Sequence, residues 1–469
     1  MTPDELAFAD AFTLQRLLTA RTVSSVELTK LYLERLEKYG PVYGAVVTIL
    51  PERGLREAAR ADRERRRGTI RGPLHGIPYG VKDLLATPDA PTTWGAAPFR
   101  NQRFDFDAAV VRKLSAAGAV LIAKLAMVEL AGGFGYNDAD ASFTGPGRTP
   151  WDWHYWSGGS STGSGAAVSA GLVGFAIGSE TSGSILNPCA SCGVTGLRPT
   201  YGRVSRHGAM ALCWTLDKLG PIARSARDAE TVLRTIAGAD RADPTAVDMP
   251  FVASSRRPRI AVVKNATAKS MPGVVRNFTA SLAVLGEFCD IETGVGLPPH
   301  PYGEAVGTIV NGEGAAAFRA LIESGTARLL QQKDDRLGGY SAYATLAVDY
   351  IDAMRQRVRM LADMRAAFGA YDAIVSPTLA TVALPVGVPF DSVYTQFSGG
   401  PDLISAGNLA GLPALTLPNG LAEKGLPSGI ALLGTAFGEA KLLAIGKRFQ
   451  RRTAHHTRHP PLVERAPAS

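Results

Sequence analysis

Apolar and polar positions follow two rhythms along this chain. Between residues 4 and 38 the apolar positions recur at helical spacing and predict two helices. The second carries Val26, Leu28, Leu31, Leu33 and Leu36 behind a Ser24 or Ser25 cap. The charged run from Arg53 to Gly72 predicts another helix. Glu57, Asp62 and Glu64 fall among its arginines at helical intervals, which reads as a solvated face laced with ion pairs. "GPLHGIPYGVKDLL" then breaks the pattern, and paired Gly-Pro punctuation flanks a short apolar strand, "IPYGVK". A helix from Ala108 to Ala117 leads through Gly118 into the strand "AVLIAK". Such helix–turn–strand alternation predicts an α/β fold with a doubly wound or mixed sheet.

Residues 132–160 lack either rhythm and read as a long loop rich in glycine and aromatic residues, a type that usually carries function. From Ser157 to Pro188 serine and glycine enclose an apolar stretch. Ser164 to Leu172 predicts a small-residue helix, "VGFAI" a buried strand, and "GSETSGS" a turn before a helical start near Pro188. Further on, "RIAVV" and "YDAIVSPT" predict strands and residues 341–369 a long amphipathic helix. "NLAGLPALTLPNG" and "GIALLG" add strands, and "EAKLLAIGKRFQRR" closes with a helix. No repeat or long linker divides the chain. The expectation is one domain over residues 1–469: N-terminal helices to about 70, a core over about 71–240, a less regular insertion over about 240–340, and the remainder of the core over about 341–450.

Composition changes this picture little. The chain is 46% hydrophobic and 20% charged, which suits a globular protein with a sizeable core. Its formal charge of +8 is spread out and no nucleic-acid module accompanies it, so nucleic acid is not an expected partner. The acidic N-terminus does not read as a secretory signal, and no apolar run reaches membrane-spanning length. Four cysteines in a chain this long do not make a disulfide scaffold, and a cytoplasmic location is expected by default.

Several motifs compete for the chemistry. "GSSTG" centres on Ser161 and matches a nucleophile elbow, but no core strand precedes it. His207, His300, His455, His456 and His459 are not tied to it by any local pattern. The pair Cys189 and Cys192 lacks the two further ligands of a zinc site and reads as small core residues. His455 and His459 in "HHTRH" lie on a basic tail without nearby carboxylates, so no metal is expected. No phosphate-cradling glycine pattern occurs, and no cofactor is expected. A serine can also be activated by a lysine that desolvation keeps neutral. Lys82 ends an apolar strand, where lysine is unusual; it either serves as such a base, snorkels from the strand end, or pairs with Asp83.

Taken in order, "GIPYGVKD", "AGAVLIAKLAMVELAGG", "SGGSSTGSGAAVSAG", "GSETSGSILNP", "CGVTGLRPTYGRVSRHG", "YDAIVSPT" and "NLAGLPALTLPNG" resemble the amidase signature family of serine amidohydrolases over nearly the whole chain. The resemblance implies an α/β/α sandwich with a large, mixed, twisted central sheet. It also implies a Ser–cis-Ser–Lys triad in which Lys82 is the base, Ser160 the bridging serine and Ser184 the nucleophile, leaving Ser161 and Ser182 without catalytic roles. Successive backbone N–H groups from Thr181 through Ser182 and Gly183 to Ser184 would form the oxyanion hole. Ala131, Gly132, Gly133 and Phe134 would border the substrate. In the signature turn Glu180 stands for the family's Asp, Ser182 for a Gly and Leu186 for an Arg. An Asp–Arg pair bracing the turn is therefore not expected, and the partner of Glu180 is left open.

Trp151, Trp153 and Trp156 directly precede the bridging serine. They read either as an aromatic wall for an apolar acyl or aryl group, with Trp156 in the pocket, or as packing beneath a long loop. The first functional expectation is a hydrolase of C–N bonds in small aryl or alkyl amides, or in carbamates, acting as a monomer or homodimer. The alternative is the glutamine-hydrolysing subunit of a tRNA amidotransferase, for which Asp402 and Ser405 offer an imperfect match to a substrate-holding pair. A non-catalytic binding protein fits poorly with retention of Lys82, Ser160 and Ser184.

Overall fold

The computed structural model describes residues 1–397 and 400–464. Eleven strands form one sheet: β1 (Val46–Ile49), β2 (Pro78–Lys82), β3 (Val120–Leu125), β4 (Phe175–Glu180), β5 (Thr195–Arg198), β6 (Lys218–Ala223), β7 (Arg259–Val263), β8 (Asp290–Val295), β9 (Ala373–Pro377), β10 (Ala414–Leu421) and β11 (Pro427–Leu433). Their order across the sheet is β1-β3-β2-β4-β6-β5-β10-β11-β9-β7-β8. β3, β2 and β4 run parallel, β4 through β9 alternate antiparallel, and β9, β7 and β8 are parallel again. The sheet is thus mixed, as the helix–strand alternation predicts. Every residue of β2, β3, β4, β5, β6 and β9 is buried, so helices cover both faces of the α/β/α sandwich and these strands read as continuous apolar runs.

The N-terminal region holds three helices where two are predicted: Pro3–Ala7, Ala11–Thr19 and Ser25–Tyr39. Ser24 caps the last in a reciprocal capping box with Glu27. The charged helix Pro51–Arg66 is less solvated than its sequence suggests. Arg53 and Arg65 are buried, and Arg53 is held by Glu57, Asp89 and Asp107. The segment expected to be less regular carries β7, β8 and the helices Pro272–Gly286, Tyr302–Ala317, Arg319–Glu323 and Lys333–Ala342, and its strands extend the sheet edge. The predicted helix over 341–369 spans Ala347–Phe368, and "NLAG" ends the helix Leu403–Leu409 instead of opening a strand. The C-terminal histidines pack: His459 stacks on Phe8 with ring centroids 4.2 Å apart.

The topology sets two strand ends side by side. β2 and β4 are parallel neighbours, with Val81 level with Ile177, so both strands finish at one edge of the sheet. The carboxyl ends of parallel strands are where open α/β sheets gather ligand-binding groups. β2 delivers Lys82 there and β4 delivers Ser179 and Glu180.

Candidate active site

Lys82 is wholly buried, and its Nζ lies 2.7 Å from Ser160 Oγ and 2.9 Å from Ser179 Oγ. Among the described residues no carboxylate forms an ion pair with it. Asp83 points to the neighbouring strand, where its Oδ1 lies 3.0 Å from Lys124 Nζ. Of the three readings open for Lys82, the Asp83 pair and the snorkelling strand end are thereby removed. Burial pulls the Lys82 amine down to about 7, against the more distant pull of Asp217 and Glu180. Near neutrality a large share of this lysine carries no proton.

Ser160 sits in a turn before the helix Thr162–Ser169, and the peptide between Gly159 and Ser160 is cis. Its carbonyl accepts from Val128 N at 3.1 Å. Small residues make this seat possible. A Cβ on Gly159 would come within 2.6 Å of the Trp156 ring, and one on Gly163 within 2.2 Å of the Ala45 carbonyl oxygen. Ser161, at the centre of the elbow-like motif, is a strut: its Oγ donates to Ser179 O (3.2 Å) and accepts from Ser179 N (3.3 Å). Its own N–H donates to Ser184 O at 3.3 Å, so the two serine turns are joined directly.

Ser184 lies at the end of the second turn, ahead of the helix Leu186–Cys192. The N–H groups of Ser182, Gly183 and Ser184 donate to no protein atom among the described residues. Gly183 has φ +88°, a conformation that favours glycine. Thr181 donates its hydroxyl to Asp217 Oδ1 at 2.6 Å, and Asp217 in turn accepts from Leu212 N and Cys213 N, both at 2.9 Å.

The bracing of this turn departs from expectation. Leu186 cannot form an ion pair, yet Glu180 is not left alone. Arg198, at the end of β5, donates Nη1 to Glu180 Oε1 at 2.8 Å, and both side chains are fully buried. Asn408 Nδ2 donates to the same oxygen at 3.0 Å. The other oxygen accepts from Ile185 N (2.9 Å) and Leu186 N (3.1 Å), the first free donors of the helix that follows Ser184. Burial alone would raise the Glu180 carboxyl; Arg198, then Lys218 and Asn408, outweigh it and hold the group below its usual value. Lys218, also buried and drawn down to about 7, donates to Asn408 Oδ1 at 2.6 Å.

The expected pocket residues divide. Ala131 lies with Leu84, Ser179, Thr181, Leu212 and Asp217 on a cavity of ≈ 210 Å³ beside the turn. Leu130 and Ala131 hold positive φ (48° and 58°), which turns this segment sharply at the cavity wall. Phe134 faces inward instead, its ring edge-on to Phe318 at 5.7 Å and its N–H on Asp335 Oδ1 at 2.9 Å. Gly132 and Gly133 pack under Tyr136 and Leu212. The three tryptophans diverge. Trp151 donates to Cys192 O at 2.9 Å, Trp153 lies under Arg148, and Trp156 alone lies against Gly159. Asp402 accepts from Ser405 N at 3.0 Å and so caps its own helix. Cys189 and Cys192 are free and buried.

Sequence reasoning passed over Ser179, Asp217, Arg198 and Asn408. Arg198 carries one signal, its place between Leu197 and Pro199 in the block "CGVTGLRPTYGRVSRHG". The other three resemble ordinary turn residues until the strands bring them together.

A family model described as Amidase matches residues 27–443. The chain belongs to the amidase family. Members of this amidase signature family hydrolyse amide C–N bonds, and that sets the reaction class. The chain is 36% identical over 480 residues to a glutamyl-tRNA(Gln) amidotransferase subunit of Chloroflexus aurantiacus, an alignment covering 96% of this chain and 97% of that one. The native peptide amidase of Stenotrophomonas maltophilia superposes with a TM-score of 0.83 at 34% identity, covering 97% of this chain and 98% of that one. The glutamyl-tRNA(Gln) amidotransferase subunit of Thermotoga maritima gives 0.77 at 28%, covering 94% and 95%. No helix among the described residues is long and apolar enough to cross a membrane.

Proposed function

We propose that this protein is a one-domain serine amidase that hydrolyses small amides through an acyl-enzyme on Ser184, with Ser160 and Lys82 as its proton relay. The observation that carries the reading is Lys82: fully buried, without a carboxylate partner, and 2.7 Å from the hydroxyl of Ser160. As Ser184 Oγ attacks the amide carbonyl, its proton passes to Ser160 and that of Ser160 to neutral Lys82. The carbonyl oxygen gains charge and is met by the free N–H groups of Ser182, Gly183 and Ser184, with Thr181 completing the hole. The relay then returns the proton to the leaving nitrogen, the C–N bond breaks, and water releases the acyl group by the same route. Glu180 holds the turn in place from behind without touching substrate. Carbamates share the planar carbonyl and nitrogen leaving group, so they fall within the same chemistry. No cofactor or metal enters this scheme.

A glutamine-hydrolysing subunit of an amidotransferase is the second reading, and the 36% identity to such a subunit favours it. Against it, the carboxylate of Asp402 is already engaged as a helix cap. The deciding experiment is turnover of a panel of primary amides, anilides, aryl carbamates and glutamine by the purified protein, beside Ser184→Ala. Amide turnover without added subunits is expected. Ser184→Ala is expected to lose about 10⁴-fold or more in kcat, together with labelling by a fluorophosphonate probe. Turnover confined to glutamine, and only with partner subunits present, would favour the second reading.

A further inference from the structure

Large apolar side chains reach solvent mainly in one place. Of the sixteen exposed among the described residues, eight fall between Leu329 and Val358. They lie on the helix Lys333–Ala342, on the long helix Ala347–Phe368, and on the chain beside and between them. Leu337 and Val358 are 73% and 68% exposed, and Tyr340, Leu346, Val348 and Ile351 between 47% and 67%. The inner side of the long helix is already covered, since Ala353, Met360, Met364 and Phe368 are buried. The six exposed residues present on the order of 700 Å², against about 300–600 Å² for the largest apolar patch on a typical monomer. Each partner gives about 800 Å² to a standard protein interface.

The charges beside this face identify what covers it. Val348, Ile351 and Val358 form one stripe of the long helix. Asp349, Asp352, Arg355 and Arg359 run alongside it at intervals of three and four residues, all exposed. None of the four forms an ion pair among the described residues. Asp352 accepts from Gln356 Nε2 of its own helix at 2.5 Å. Both acids thus precede both bases. The helix dipole favours an acid in the first turn, which accounts for Asp349 but not for the order of Asp352 and Arg355. Like charges at these spacings repel within one helix. A second copy, set antiparallel about a twofold axis level with Ala353 and Met354, turns the repulsion into attraction. Its Arg355 and Arg359 come level with Asp352 and Asp349, and its Val358 meets Val348. A twofold contact requires this self-complementarity. A membrane surface does not fit it, because an interfacial helix flanks its apolar face with lysine and arginine, and an anionic leaflet repels the acidic half.

We propose that the face built by Lys333–Ala342 and the first half of Ala347–Phe368 is the interface of a homodimer, in which the two long helices pack antiparallel across the twofold axis. The proposal does not depend on the reading of the catalytic site.

The test is sedimentation of the full-length protein over a range of concentrations. A particle of twice the 49.4 kDa chain mass is expected at about 10 μM. Ile351→Asp and Val358→Asp place carboxylates on the apolar stripe at solvent-exposed positions. Their melting transitions should match the wild type, while self-association weakens about 100-fold or more. Asp352→Arg and Arg355→Asp should each weaken it about tenfold. Mixed in equal amounts, these two variants should recover wild-type affinity, because each copy then offers the charge that the other lacks. A wild-type protein still monomeric at about 100 μM would overturn the dimer. A dimer unmoved by the two carboxylates in folded protein would overturn this surface. Failure of the mixture to recover would overturn the antiparallel arrangement. Binding of monomeric wild-type protein to phosphatidylserine–phosphatidylcholine vesicles, lost in Ile351→Asp, would overturn the second copy in favour of a membrane.

Discussion

Lys82 is the last residue of β2 and Lys124 the last but one of β3, its parallel neighbour, and both are wholly buried. Burial lowers both amines. Their surroundings differ by one carboxylate. Lys124 has Asp83 at 3.0 Å and Thr92 Oγ1 at 2.6 Å, so its charge is compensated and it acts as a structural pin between β3 and the loop after β2. Lys82 meets only the hydroxyls of Ser160 and Ser179. Burial makes a charged lysine costly, and a paired carboxylate offsets that cost for Lys124 but not for Lys82. Asp83 directly follows Lys82 in sequence yet serves the other lysine, and that choice is what separates the two roles.

The strongest way to break this contrast is substitution at each lysine. Lys82→Ala is expected to lower kcat by about 10²–10⁴-fold, read in steady-state turnover and in the rate of fluorophosphonate labelling, while the melting transition stays near that of the wild type. Lys124→Ala strands Asp83 as a buried, unpaired charge. It should cost about 3–5 kcal/mol in denaturant unfolding, while the protein that remains folded keeps kcat within about tenfold. If Lys124→Ala lost turnover without losing stability, the two roles would be reversed. A smaller effect sharpens the contrast through pH. Protonated Lys82 cannot accept the relay proton, so kcat/KM should fall about tenfold per pH unit below about 7 and level off above it. Stability carries the same sign. The unfolded lysine binds its proton below its ordinary value near 10.5 and the folded one only near 7, so the Lys82 contribution declines as pH falls across that window and is constant below it. A flat rate profile from pH 5 to 9 would remove Lys82 from the relay. The smallest effect belongs to Ser161→Ala. Losing its two contacts to Ser179 should cost about 0.5–1.5 kcal/mol in thermal unfolding, with kcat within a few-fold.

Much of this was legible in the chain. Continuous apolar runs such as "AVLIAK" and "VGFAI" announce strands covered on both faces, and β3 and β4 lie where those runs fall. Lys82 stands out because an amine at the end of such a run needs a reason. What stayed hidden depends on distant pairing. β1, β6 and β8 have no clear rhythm: β1 is only half-buried, β8 is mostly exposed, and β6 contains Pro221 between Lys218 and Ala223. The doubtful acidic residue of the signature turn, Glu180, gained its partner from β5, because an arginine 18 positions away is invisible as a neighbour until β4, β6 and β5 align. The long loop over 132–160 shows its aromatic residues but not their directions. Trp151, Trp153 and Trp156 look equivalent in sequence and face three different surroundings in space.

The triple grip on Glu180 has a consequence in time. Its carboxylate is satisfied by Arg198, by the helix it caps and by Asn408, and Asn408 lies 228 residues further along the chain. Contacts of such long sequence separation close late, after loop entropy has been overcome. A chain emerging from synthesis therefore carries Lys82, Ser160 and Ser184 well before it can hold them in register. Asn408 sits on the helix Leu403–Leu409 just ahead of β10, so the turn that carries Ser184 gains its last brace only when this C-terminal part of the chain has docked.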